Sequence, residues 1–117
     1  MSQIFIELWK LKPAWRDLGQ DGRAAYVDGL LPAVQAMVEA GVEVVAWGFN
    51  EADVDQRADF DVFAVYRTPS KELARQLQSS IRASGWYDYF DQVNAGGAAL
   101  PPPDVLNTHV ALAAPLS

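Results

Sequence analysis

The chain has 117 residues, half of them apolar and 21% charged, enough for one buried core and too apolar for a disordered segment. Nine basic against fifteen acidic residues leave a formal charge of −6, which opposes phosphate backbones and speaks against nucleic acid or an anionic membrane as partner. There is no cysteine and one histidine, His109, so disulfides and thiolate sites are excluded and a transition metal would depend almost wholly on carboxylates.

The opening string Met1-Ser2-Gln3-Ile4-Phe5-Ile6 runs directly into strand-like sequence, without a basic leader segment or a cleavage motif. No apolar run nears the roughly 18 residues that cross a bilayer, so a cytoplasmic address with no membrane partner is expected. Residues 3–10 alternate with period two, Ile4, Ile6 and Leu8 on one face and Phe5, Glu7 and Trp9 on the other. Pro13 ends that strand, and residues 14–18 predict a short helical turn. Asp21 is the expected N-cap of a helix running to Ala40, with Tyr26, Leu30, Val34, Met37 and Val38 as its apolar face. Pro32 predicts a kink or break near Gly29, and Gly41 a left-handed terminator.

Residues 42–49 read as a second strand, with Val44, Ala46 and Gly48 opposite Val45, Trp47 and Phe49. The polar stretch 50–59 is a loop. A third strand over 60–67 divides Val62, Ala64 and Tyr66 from Phe63, Val65 and Arg67. Ser70 caps the next helix, whose buried stripe is Leu73, Leu77 and Ile81 and whose end is Gly85. The aromatic cluster Trp86-Tyr87-Asp88-Tyr89-Phe90 follows, then a short polar strand over 91–95. Residues 96–103 form a Gly/Ala/Pro-rich connection, and 107–113 suit a last extended segment.

This order, β-α-β-β-α-β, predicts an α+β ferredoxin-like fold with an antiparallel sheet. We expect one domain over residues 1–117, with a core at 2–95 and a C-terminal tail at 96–117. Two helices cover one sheet face only. The small residues Ala46 and Gly48 suggest that the helices lie on their side. Phe5, Trp9, Val45, Trp47, Phe49, Phe63 and Val65 then form an apolar second face, too large to stand open on a monomer. A homodimer that buries this face is the expectation, with Trp9 and Trp47 as interface residues.

The element order, with aromatics on the free sheet face, resembles the dimeric α+β barrel superfamily, which includes antibiotic-biosynthesis monooxygenase-like proteins, lactone isomerases and haem-degrading enzymes. The strings Gly41-Val42-Glu43-Val44-Val45-Ala46-Trp47-Gly48 and Gly85-Trp86-Tyr87-Asp88-Tyr89-Phe90-Asp91-Gln92-Val93-Asn94 are also similar to those of a small bacterial family of unassigned function. The resemblance implies a small apolar or aromatic ligand held beside the sheet. Haem-handling members use a helix-borne histidine. Here the sole histidine lies in the tail, so no bound cofactor and no structural metal are expected.

Glu7, amid an apolar strand between Phe5 and Trp9, is a candidate catalytic acid or base, because burial beside aromatics raises a carboxyl pKa. The alternative is an ion pair with Arg67 or exposure at the rim. His109 is the second catalytic candidate, as the one side chain that ordinarily titrates near neutrality; a surface or interface role is its alternative. Tyr66, Trp86, Tyr87, Tyr89 and Asn94 form the candidate ligand-binding set, against ordinary core or turn duty. Two readings follow. One is a cofactor-independent oxygenase, isomerase or cyclase-like enzyme on an aromatic or apolar metabolite; the other is a non-catalytic dimerisation or ligand-carrier module.

Overall fold

The computed structural model describes residues 2–112. Strand β1 (Gln3–Leu11) leads into a short helix α1 (Pro13–Asp17) and a long helix α2 (Gly19–Glu39). Strands β2 (Glu43–Phe49) and β3 (Val62–Thr68) follow, then helix α3 (Lys71–Ala83), the single turn α4 (Trp86–Tyr89), strand β4 (Phe90–Ala98) and helix α5 (Pro102–Ala111). The sheet is antiparallel in the order β2-β3-β1-β4, the ferredoxin-like arrangement.

The alternation in β1 is as read from the sequence, but the faces are reversed. Phe5, Glu7 and Trp9 are buried, and across β3 they align with Tyr66, Ala64 and Val62. This is the helix side, closed by Leu73 and Leu77 of α3. Ile4, Ile6 and Leu8 point to the opposite face, in register with Arg67, Val65 and Phe63. Strand β2 carries an irregularity between Val44 and Ala46, so Val44, Trp47 and Phe49 pair with Tyr66, Ala64 and Val62 on the helix side.

The expected interface thus keeps Phe63 and Val65 but loses Phe5, Trp9, Trp47 and Phe49. The face away from the helices instead carries Ile4, Ile6, Leu8, Phe63, Val65 and Val93, none of them fully buried. The physical reason lies at Gly48. A Cβ there would stand 2.6 Å from the Phe63 ring, so the missing side chain makes room for that ring on the open face, not for a helix.

Several boundaries also differ. Helix α2 starts at Gly19 and continues through Pro32 without a break, losing one backbone bond instead of ending. Strand β4 runs to Ala98 because Gly96 and Gly97 pair with Phe5 and Ile4, so the expected connection at 96–103 begins as sheet. The segment expected to be extended from 107 is helical α5, which opens on Pro102 and Pro103 at its first turn with Asp104 beside them; residue 113 lies outside the described residues. The cap at Ser70 is as expected: its Oγ accepts from the Leu73 amide at 3.1 Å.

Gly96 pairs with Phe5 across the β1–β4 ladder, and a Cβ there would lie 2.7 Å from the Ile4 carbonyl oxygen, a contact no rotamer relieves. Gly96→Ala should therefore cost about 1–3 kcal/mol. Gly29, mid-helix with open space around its Cα, should show the reverse, with Gly29→Ala gaining up to about 1 kcal/mol. Urea unfolding midpoints of the two variants check both signs.

Candidate functional site

Between the helix side of the sheet and helices α2 and α3 lies a cleft of about 630 Å³, counting its mouth to solvent. Leu30, Ala33, Val34, Met37 and Val38 of α2 form one wall, so most of the apolar face read from the sequence lines a cavity, while Tyr26 and Met37 also pack against the core. Leu77, Ser80, Ile81 and Ser84 form the α3 side. Glu7, Val44, Trp47, Tyr66 and Trp86 come from the sheet side and α4.

Glu7 is 3% exposed. Its Oε2 accepts a 2.6 Å hydrogen bond from Gln92 Nε2, and Gln92 Oε1 accepts from the Trp86 indole at 2.7 Å. The Tyr66 hydroxyl is a further donor to the same carboxylate. Burial pushes the Glu7 pKa above its ordinary value of 4.5, and the Tyr66 and Gln92 hydrogen bonds offset this only in part. Burial also pushes the Tyr66 phenol up, helped by the neighbouring negative charge of Glu7. Arg67 does not pair with Glu7: it projects from the other sheet face and binds Glu43 at 3.0 Å.

The aromatic walls brace one another. Trp9 stands edge-on to Trp47 at 5.1 Å and to Trp86 at 5.4 Å, and Trp47 stands edge-on to Tyr66 at 6.4 Å. Trp47, read from the sequence as an interface residue, is therefore a cavity residue, half exposed at 50%.

The other candidates separate. Tyr89 packs against Trp15 and Tyr26 in an aromatic cluster away from the cavity lining. Tyr87 and Asn94 sit together outside the cavity, Asn94 Nδ2 donating to the Tyr87 hydroxyl at 3.4 Å, in a shallow polar groove with Arg75 and Arg82. Asn94 is paired with Glu7 across the β1–β4 ladder, and its side chain is linked to the carboxylate by hydrogen bonds through Gln92, whose Nε2 also donates to Asn94 Oδ1 at 2.7 Å. His109 is exposed on α5 and absent from the cavity lining, so the structure does not bring it to Glu7. Gln92, which joins Glu7 to Trp86, was missed because its role depends on the β4 register opposite Trp9. Its one sequence signal is that it shares parity with Asn94.

The chain matches, over residues 2–112, the model of a family of unknown function, DUF6616. The chain belongs to that family. No curated protein matches it. Among solved structures it is similar to two mutant chlorite dismutases from Candidatus Nitrospira defluvii, both at 13% identity. The TM-scores are 0.69 and 0.67, over 91% and 95% of this chain but only 43% and 48% of theirs. The chain therefore spans less than half the length of those proteins. A cofactor-independent oxygenase, SnoaB from Streptomyces nogalater, aligns at 10% identity and a TM-score of 0.48, over 86% of this chain and 94% of that one. The likeness to the chlorite dismutases is one of fold, that of the dimeric α+β barrel proteins. Among the described residues the cavity lining holds no histidine or cysteine, so a helix-borne histidine of the kind haem-handling proteins use has no counterpart there. No described helix is long and apolar enough to cross a membrane.

A raised carboxyl pKa has a definite sign in stability. Between the unfolded value and the raised folded value the native state binds more protons, so stability falls as pH rises through that window and then levels. Glu7→Gln keeps the neutral form's shape and should abolish this fall, leaving the variant more stable than wild type at neutral pH. Urea midpoints measured across the pH range for both proteins check it; equal pH profiles would mean that Glu7 is not desolvated.

Proposed function

We propose that the protein is a homodimer that binds a small apolar or aromatic molecule in the helix-side cavity, and that Glu7 moves a proton on that molecule without a bound cofactor. The observation that supports this is a single carboxyl, buried without a counter-ion, at an otherwise apolar and aromatic cavity. Burial raises the pKa of this carboxyl and so makes the carboxylate a stronger base, which suits proton abstraction or isomerisation of an electron-rich substrate. Gln92 and Tyr66 fix its orientation, and Trp47 and Trp86 supply flat surface for a ring.

Dimerisation is supported by the open sheet face. Ile4, Ile6, Leu8, Phe63, Val65 and Val93 share the face opposite the buried helix-side residues, and none of them is fully buried. A second reading, ligand carriage without chemistry, is favoured by one fact: among the described residues only Glu7 and Tyr66 are titratable in the lining, so no separate acid accompanies the base.

Native mass spectrometry of the purified protein tests the assembly and the pocket together. Two chains per particle and a retained small molecule are expected. Ile6→Asp should yield monomer, because it puts a charge at the centre of the apolar face. Trp47→Ala should leave the dimer intact and lose the retained molecule. A wild-type monomer at micromolar concentration would remove the dimer from the proposal.

A further inference from the structure

We propose that the cavity recognises a cation, receiving an apolar or aromatic amine with its ammonium group against Glu7. This rests on the pocket reading above and names its ligand class.

Glu7 accepts from the neutral Gln92, has the neutral Tyr66 hydroxyl beside it, and has no cationic partner among the described residues. Lys10 is committed to Asp59 at 3.2 Å and Arg67, on the other sheet face, to Glu43 at 3.0 Å, while Arg82 lies over the Tyr87 ring and lines the outer groove with Arg75. The α2 wall of the cavity is aliphatic, and α3 adds only the hydroxyls Ser80 and Ser84. Strand β2 adds Val44 and Trp47, and β4 faces the carboxyl with the uncharged Gln92. Tyr66 is therefore the one other titratable group in that lining, and it adds no positive charge. A carboxylate removed from water without a counter-ion is half of an ion pair.

The aromatics complete the case. Trp47, Tyr66 and Trp86 all line the cavity, and each is tied to Glu7 directly or through one neighbour: Tyr66 to the carboxylate, Trp86 through Gln92, Trp47 against Tyr66. An ammonium group is attracted to the faces of such rings within about 6 Å, most strongly where water is excluded. An anion would be repelled by the same carboxylate. A neutral molecule of the same shape would leave it unpaired or protonated.

The proton balance follows. Burial favours the neutral carboxyl and an arriving ammonium favours the carboxylate, so wherever the free protein still holds the Glu7 proton, binding passes that proton to solvent while the amine keeps its three N–H bonds. No covalent bond of the ligand changes. Affinity for the amine should then rise with pH, until the ammonium itself loses its proton.

The test is isothermal titration calorimetry of the full chain with 2-phenylethylamine, 2-phenylethanol and 3-phenylpropanoate, in two buffers of different ionisation enthalpy. The amine should bind at least about tenfold more tightly than the alcohol above neutrality. The propanoate should bind most weakly, and on the acidic side, where the free carboxyl holds its proton, the amine should release protons and the alcohol none. In Glu7→Gln the amine and alcohol should become equal while the alcohol's affinity persists. An alcohol that binds wild type as tightly as the amine would overturn the cation reading and leave an apolar pocket standing. An amine affinity that does not rise with pH across the acidic range, or an amine preference that survives in Glu7→Gln, would overturn it too. Failure of all three probes to bind would remove the pocket reading with it.

Discussion

The structure depends on the parity of one strand. β1 is bonded on both sides, to β3 and to β4, so each of its side chains must lie either among the helices or on the open face. Three rows cross the sheet on the helix side as a consequence. Trp47, Ala64, Glu7 and Asn94 align in one; Phe49, Val62, Trp9 and Gln92 in the next; Val44, Tyr66, Phe5 and Gly96 in the third. Ala64, fully buried beside Glu7, leaves the space above it to larger neighbours on either side. A slip of one residue in β1 would exchange Glu7 for Ile6 or Leu8 and remove the polar centre of the cavity.

Much of the fold was legible because period two and helix caps are local signals. The β1 alternation, the Ser70 cap and the Leu73–Leu77 stripe all follow from neighbouring residues. Face choice is not local. Alternation groups Phe5 with Trp9, but only tertiary packing decides which group meets the helices. Gly48 illustrates the difficulty, since a missing side chain admits a ring on either side, and here it admits Phe63. The irregularity at Val45 hid the second fact, that Val44 and Trp47 share a side despite odd spacing. The C-terminal helix was obscured by its own N-terminus, where two prolines read as a connection although proline suits a first helical turn.

Glu7 could be picked out because a carboxylate in an apolar strand is conspicuous whichever way the strand faces. Its partners could not. Gln92 is 85 residues distant and reaches Glu7 only because β4 pairs with β1 in one register. The five-residue aromatic cluster, which looks uniform in sequence, is divided by the α4 turn. Trp86 goes to the cavity, Tyr87 to the outer groove, and Tyr89 and Phe90 to Trp15.

That division leaves a bridge between packing and cavity. Trp15, Tyr26, Tyr89 and Phe90 form a group whose rings meet at 4.8–5.7 Å, Phe90 joins it to the cavity residue Trp86 at 4.0 Å, and the Tyr26 hydroxyl donates to the Ser84 carbonyl at 3.1 Å. The first half of α2 is thereby fastened to α1, α4 and the end of α3. Its second half, from Leu30 to Val38, meets the cavity, and no residue of the helix is fully buried. Pro32 lies inside that half and removes one of its backbone hydrogen bonds. The wall facing Glu7 is thus anchored mainly at its end, through Met37, while the carboxyl itself sits on a strand bonded on both sides. A site with a fixed polar floor and an adjustable apolar wall can accept ligands of varied bulk without moving the group that would act on them.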